Sequence, residues 1–544
     1  MHPPRPPEGH RRTVFGPSID AVQRELVPAL NDGALPAERE AGVRAALGRL
    51  LMEFGDWDAG LEQLEQAVDR LPDPSVARAV TLLWLGWPYG SPRPVSWHLT
   101  QVYRGVASAP ADVSESDRLM LDRLHATRLL FCGDPAGWHH VDRIPDLAGT
   151  QEVAIQALLA HVDLTYAAML WGHYERADHH ARIARELSSR WYFEGFTDAL
   201  ASTTVDLDWC RGRWEGLADR ALALTTTGHD RFARLQSVLV STRLAAACRL
   251  PQRPGTAPEG LLADLLPHEA PELLAQAASE AARRHLQHAD VASAVRVTDA
   301  PTSEVLASRN WLSSVEIVPT RIEALVAAGR TADAQALLSE LEDLVPHPTP
   351  DRAAAALALC RGLLLEPPQP TQAAEQLAEA VQRLTSLPRP HDGALVRARR
   401  AGCLARAGAR SEAIVELKTA RAALVDLCAW ADVSVVEAQL RRLGVRGTGR
   451  SGRRPYGDQL SPRERDVVAL VAVGHTDRQI SQALVLSPKT VANHVASARR
   501  KLGAPSRTAL AVQAIATGVI ERPIEQPQRP TPGDTRTAAG PASS

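Results

Sequence analysis

Leu460–Leu510 reads LSPRERDVVALVAVGHTDRQISQALVLSPKTVANHVASARRKLGAPSRTAL, with the punctuation of four short helices. Ser461 suits an N-cap, Pro462 the first helical position, and Glu464 the reciprocal place in a capping box. Val467, Val468, Leu470 and Val471 follow at helical spacing, and Gly474 ends that segment. Thr476 and Gln479 form a second capping box ahead of Ile480, Ala483 and Leu484, and Val485-Leu486 is a short turn. Ser487 and Pro488 open a third helix that Gly503 closes. Ser506 opens a fourth, ending near Gly518. A short helix, a tight turn and a longer helix make the helix-turn-helix plan, whose second helix enters the major groove of double-stranded DNA.

The third helix can be tested for that task by its faces. At roughly 100° per residue, Val491, Val495, Ala498 and Leu502 fall on one narrow stripe, the side to be buried. Lys489, Asn493, Ala496 and Arg500 fall on the opposite side, with Ala492 and Ser497 at its edges. Asn bonds bidentately to adenine, Lys reaches guanine, and an alanine methyl meets a thymine methyl, so Lys489, Ala492, Asn493 and Ala496 are the expected base readers. Thr490, Ser497, Arg499 and Arg500 suit phosphate contacts, which set register and carry no sequence information. The plain alternative is a solvated amphipathic helix. The agreement of caps, turn and charge favours DNA.

LSPRERDVVALVAVGHTDRQISQAL, LSPKTVANHVASARRKLG and SRTAL together resemble the C-terminal DNA-binding domain of LuxR-type bacterial regulators, over about sixty residues and all four helices. The resemblance implies that Pro488–Leu502 is the recognition helix, and that the helix after Arg507 helps form a homodimer on DNA. Relatives often carry Lys or Arg after the Thr-Val pair. This chain has Ala492 there, which shifts the expected reading to Lys489 and Asn493.

Charge divides the chain unevenly. The 544 residues carry a net −2, yet 446–522 hold thirteen Lys+Arg against five Asp+Glu, a surplus of eight. The tail beyond is balanced, so residues 1–445 carry −10. A basic module on an acidic body fits a DNA-binding head, since phosphate neutralisation supplies much of the affinity. Lysine occurs only at 418, 489 and 501, and none follows a glycine, which excludes a P-loop. A phosphoacceptor receiver domain needs an N-terminal lysine that this chain does not contain. The six cysteines are scattered with no Cys-x-x-Cys, and read as small core residues in a reducing compartment. The N-terminus has no signal-peptide core, and no apolar run approaches a membrane span. A cytoplasmic protein without membrane association is therefore expected.

Upstream, one spacing recurs. A glycine is followed at five, nine and twelve residues by small or apolar side chains. The sets are Gly55 with Gly60, Leu64, Ala67; Gly172 with Ala177, Ala181, Ala184; Gly212 with Leu217, Ala221, Leu224; Gly329 with Ala334, Leu338, Leu341; and Gly408 with Ala413, Leu417, Ala420. This pattern resembles the tetratricopeptide repeat, with longer loops. A further pair, Arg352–Leu365 and Thr371–Leu384, fits between the last two glycines. The least regular stretch, Trp87–Asp146, should hold helices such as Ser114–Leu130, and Pro251–Pro271 reads as an insertion. Each hairpin of such a solenoid is expected to bury its face only against its neighbours.

The expected fold is therefore all-α: a tetratricopeptide-like helical solenoid followed by a four-helix LuxR-type helix-turn-helix domain. Residues 1–17 read as a disordered tail and 18–445 as the sensor or interaction body. Residues 446–459, with Arg450, Arg453 and Arg454, read as a flexible basic linker, 460–520 as the head and 521–544 as a disordered tail. The whole resembles the C-terminal half of the large ATP-binding LuxR regulators without their ATPase. His139-His140, His179-His180 and His285/His288 carry no metal spacing and read as exposed; Trp171, Trp191, Trp209 and Trp214 read as core, with a groove on the concave side the alternative. No catalytic set, metal site or cofactor site stands out. The expectation is a non-enzymatic transcription regulator whose body senses a small molecule or protein and controls the head. The rival is an interaction scaffold that the head localises to DNA.

Overall fold

The computed structural model describes residue 30 and residues 35–53, 56–91, 93–191, 197–227, 231–248, 271–445, 460–472, 474–484 and 486–516. Among these there are twenty-four α-helices and no strand. They fall into two compact units, Met1–Arg446 and Gly447–Ser544. The expected tails, the linker and the 251–270 insertion lie outside the described residues, as do Phe54, Gly55 and Gly518.

The first unit is a succession of antiparallel helices. It begins with α1 (Ala37–Glu53), α2 (Trp57–Val68), α3 (Val76–Leu85), α4 (Val95–Ala107), α5 (Glu115–Phe131) and the single turn α6 (Trp138–Val141). Then come α7 (Gln151–Trp171), α8 (Tyr174–Trp191), α9 (Thr197–Cys210), α10 (Leu217–Thr227) and α11 (Arg231–Cys248). After the undescribed segment follow α12 (Pro271–Gln287), α13 (Val291–Ser308), α14 (Trp311–Ala327), α15 (Thr331–Leu344) and α16 (Asp351–Leu365). The unit closes with α17 (Pro370–Ser386), α18 (Pro390–Arg406), α19 (Arg410–Asp426) and α20 (Trp430–Arg442). Side-chain caps start many of them: Ser75, Ser114, Thr150 and Asp290 each accept from the backbone N–H three residues on.

The recurring glycine is the turn of each hairpin. Gly172, Gly212, Gly329 and Gly408 have φ of 82°, 73°, 75° and 86°, the left-handed backbone that closes a helix without a Cβ penalty. The residues five, nine and twelve positions on then enter the core. Ala177, Ala181, Ala184, Ala221, Ala334, Leu341, Ala413 and Ala420 are fully buried, and Leu224 is the half-buried exception. Small side chains there let paired helices approach closely. This architecture is consistent with tetratricopeptide-like repeats.

The hairpins do not bury themselves only against sequence neighbours, as a simple solenoid would. Asn310 Nδ2 donates to Phe131 O at 3.0 Å across 179 residues, and Trp311 Nε1 to Gly133 O at 3.1 Å across 178. Arg352 bonds Leu170 O across 182 residues, and Gly212 abuts Pro390 at nearly the same offset. Helix α11 packs on α20 further along. A constant offset means that α5–α11 form one course of hairpins and α13–α20 a second laid against it. One buried apolar cluster accordingly runs from Tyr89 to Leu440. The approach is close at one point: a Cβ on Gly212 would stand 2.6 Å from Pro390 Cγ and 2.8 Å from Leu427 Cδ2, so any larger residue there would force these neighbours to shift.

Three further expectations change in the folded chain. Helix α7 is long and apolar enough to cross a membrane, contrary to the reading of the apolar runs, but it is largely buried inside the first unit, where an all-round apolar helix belongs. His180 is not exposed. It faces the buried His161 with Nδ1 atoms 3.0 Å apart, while His161 Nε2 lies 3.3 Å from Pro145 O. Burial pushes His180 down to about 3 and also lowers His161, so both rings are neutral. If His161 Nε2 donates to Pro145, His180 Nδ1–H must donate to His161. Finally, Cys428 is exposed, whereas the other five cysteines are buried or half-buried. The tryptophans fit the core reading. Trp171 is buried with Nε1 on Leu130 O at 2.9 Å, Trp209 and Trp214 stack at 4.4 Å, and Trp191 packs half-buried against the main cluster.

Candidate nucleic-acid interface

The second unit has four described helices: α21 (Pro462–Ala472), α22 (Asp477–Ala483), α23 (Pro488–Lys501) and α24 (Arg507–Ala516). Its caps follow the sequence. Ser461 N–H donates to Glu464 Oε2 at 2.7 Å, and Glu464 N–H to Ser461 Oγ at 3.3 Å. Thr476 and Gln479 repeat the exchange at 2.8 and 3.4 Å. Ser487 caps α23 through Thr490 N–H at 3.1 Å, and Ser506 caps α24 through Ala509 N–H at 3.0 Å. Each capping box satisfies two helix-end N–H groups that would otherwise need water.

The core is small and continuous. Val467, Val468 and Ile480 from the first two helices meet Val491, Val495 and Ala498 from α23, and Leu510 and Ala514 from α24. Helix α23 thus turns the predicted apolar stripe inward, with Leu502 half-buried at its end. Polar ties fix the remaining geometry. Arg463 Nη2 donates to Leu484 O at 2.8 Å, and Arg507 reaches both Asp477 Oδ1 at 2.5 Å and His475 O at 2.7 Å.

The outward face of α23 carries Lys489, Ala492, Asn493, Ala496 and Arg500, all exposed. Lys489 and Asn493 have no hydrogen bond or ion pair among the described residues, so their donors and acceptors face solvent. Among the described residues Arg500 makes one 3.4 Å bond, to Ser497 Oγ. Ala492 and Ala496 leave flat methyl surface between these groups. The four expected base readers and one expected phosphate contact therefore share one face.

The other expected phosphate contacts are engaged within the head. Arg499 donates through Nε to Ala504 O at 3.3 Å and through Nη2 to Pro505 O, holding the turn before α24. Thr490 closes the α23 cap, its hydroxyl 2.8 Å from Ser487 Oγ. Ser497 and Lys501 both bond the buried Glu464 carboxylate, Lys501 Nζ at 2.6 Å. Burial alone would raise the Glu464 carboxyl. The bonds from Lys501, Ser497 and Ser461 outweigh it and hold the group at about 2. Sequence reasoning assigned Glu464 to the cap and missed its second role, because its partners lie 33 and 37 residues away and nothing local marks them. His494 is half-buried on α23; burial lowers it first, then nearby Arg463, while Glu464 and Asp466 act to raise it.

Residues 458–514 match the model for bacterial regulatory proteins of the luxR family. The chain is 37% identical over 62 residues to the spore germination protein GerE of Bacillus subtilis, a match covering 11% of this chain and 84% of that protein. It is 39% identical over 93 residues to an HTH-type transcriptional regulator of Mycobacterium tuberculosis, covering 16% of this chain and 10% of the relative. The transcriptional regulatory protein DegU of Brevibacillus brevis is 37% identical over 62 residues, 11% of this chain and 26% of that protein. The chain thus spans about a tenth of the length of the mycobacterial relatives it matches.

Proposed function

This chain belongs to the luxR family of bacterial regulatory proteins, and from that premise we propose that it is a cytoplasmic DNA-binding transcription regulator whose helical body senses an effector and controls the head. The observation that carries the DNA reading is the outward face of α23, where Lys489 and Asn493 stand exposed, with no hydrogen bond or ion pair among the described residues, beside two alanines and Arg500. Such a face offers an amide for adenine, a cation for guanine and methyl surface for thymine, on a helix shaped for the major groove. Phosphate contact in this reading falls chiefly to Arg500, with exposed Arg465 and Arg478 as further cations.

Binding as a homodimer is part of the proposal. Helix α24 leaves Val512 63% exposed, an apolar residue for a second copy to cover. Two heads then read half-sites about one helical turn apart. The effector is a small molecule or a partner protein. In this reading the chain needs no cofactor and performs no catalysis. The deciding experiment is genomic binding-site mapping with the intact protein, followed by footprinting of the enriched sequences. Paired, protected half-sites support the reading; uniform occupancy without a shared motif would overturn it.

A further inference from the structure

The turn between α19 and α20 repeats the backbone of the other hairpin turns. Cys428 N–H donates to Val425 O at 3.0 Å and Ala429 N–H to Leu424 O at 2.8 Å; at the preceding turn Gly408 donates to Ala405 O at 3.2 Å and Ala409 to Leu404 O at 2.8 Å. Gly408 has φ 86° and Cys428 has φ 59°. A left-handed backbone costs a non-glycine residue about 1–2 kcal/mol. A cysteine holds this turn position nonetheless, and it is the exposed one of the six.

Across the seam lies a second thiol. Cys248 is the last residue of α11, and α11 packs on α20, which begins two residues after Cys428. Burial, then the neighbouring Cys428 and Asp432, push the Cys248 thiol up to about 12. Asp432 is itself engaged by His391 Nε2 at 3.0 Å. One patch therefore holds an exposed cysteine and a half-buried one.

We propose that Cys428 and Cys248 form a peroxide-responsive disulfide that staples α11 to the start of α20. The Cys428 thiolate attacks a peroxide oxygen: an S–O bond forms, the O–O bond breaks and hydroxide leaves. The Cys248 sulfur, giving its proton to solvent, then attacks the Cys428 sulfur; the S–S bond forms, the S–O bond breaks and a second hydroxide leaves. Two thiols lose two electrons and one peroxide becomes two waters. The product ties the first course of hairpins to the second, 180 residues apart in the chain, and fixes the seam between them.

The intact chain, purified under reductant and then exposed to hydrogen peroxide, is alkylated and digested without reduction. A Cys248–Cys428 linked peptide is expected as the dominant disulfide, with free thiols falling from six to four and returning on addition of dithiothreitol. Cys248→Ser should abolish the linked product. Cys428→Gly, which places glycine in a left-handed turn, should keep the fold by circular dichroism and abolish the link. Disulfide closure demands Cα atoms within roughly 4.4–6.8 Å, so its formation in the unmutated chain is decisive whatever the variants do. Six persistent thiols, Cys428 oxidised without a bond to Cys248, or a Cys428–Cys428 link between molecules would each overturn the proposal.

Discussion

Lys501 Nζ lies 2.6 Å from Glu464 Oε2, and the same carboxylate oxygen receives the Ser461 N–H at 2.7 Å. One buried side chain thus caps α21 and grips the last turn of α23, the helix proposed above to read DNA. Its carboxyl, held at about 2, titrates near 4.3 in an unfolded chain, roughly the ordinary glutamate value. The folded value is the lower one. The stabilisation is therefore complete above about 4.5 and fades as pH falls towards about 2.

Glu464→Gln is expected to destabilise the head by roughly 1–3 kcal/mol at pH 7, since the ion pair is lost and Lys501 is left half-buried beside an amide. The difference from the parent should shrink as the pH is lowered through 4. Hydrogen exchange of the α21 and α23 amides in the intact chain measures both effects. Identical protection in parent and variant at pH 7 would remove Glu464 from this role.

The residues of α23 should separate by phenotype. Asn493→Ala is expected to relax specificity at one base pair, at about 1–3 kcal/mol there. Arg500→Ala should weaken all sequences alike. Arg499→Ala should instead lower the stability of the head, because its guanidinium holds the carbonyls of Ala504 and Pro505. Binding-site selection with each variant, paired with its unfolding curve, tests the division. Equal, uniform losses for Asn493→Ala and Arg500→Ala would contradict the base-reading assignment.

Salt dependence should be steep. The surplus of eight positive charges over 446–522 implies several neutralised phosphates per head, and each contributes about −0.9 to the log–log slope on duplex DNA. Titration of the intact protein between low and moderate salt should give a slope of several units. A slope near zero would leave the basic surplus without a function.

Two glycine substitutions isolate the seam in the body. Gly408→Ala meets nothing within 4 Å, so it should cost only the left-handed backbone penalty of about 1–2 kcal/mol. Gly212→Ala bears that penalty and also drives a methyl into Pro390 and Leu427. It should be clearly the more destabilising of the two by denaturant midpoint. Equal losses would mean that the two courses are not pressed together at this point.

Purified intact protein should release no phosphate from ATP above a parallel blank preparation. The motivation is that none of the three lysines follows a glycine in a phosphate-binding loop. Turnover that copurifies with the chain would overturn the non-enzymatic reading.

The sequence by itself determined the local events. Ser461, Thr476, Ser487 and Ser506 start the head helices where they stand in the chain, because a capping bond spans only three residues. The turn glycines and the small residues after them likewise mark the hairpins, since helical periodicity is a local property. The face of α23 was legible for the same reason: Lys489, Asn493 and Arg500 are placed by rotation about one helix axis. Tertiary structure alone decided which polar groups remain available on that face. Arg499 and Ser497 look as free in the sequence as Arg500, yet Arg499 is drawn to the carbonyls before α24 and Ser497 to a carboxylate 33 residues upstream. It also decided the seam. Nothing near Phe131 points to Asn310, because a contact across 179 residues depends on how many hairpins are stacked and how each is rotated on the last. Small deviations at every hairpin accumulate into that return, and no local pattern records their sum.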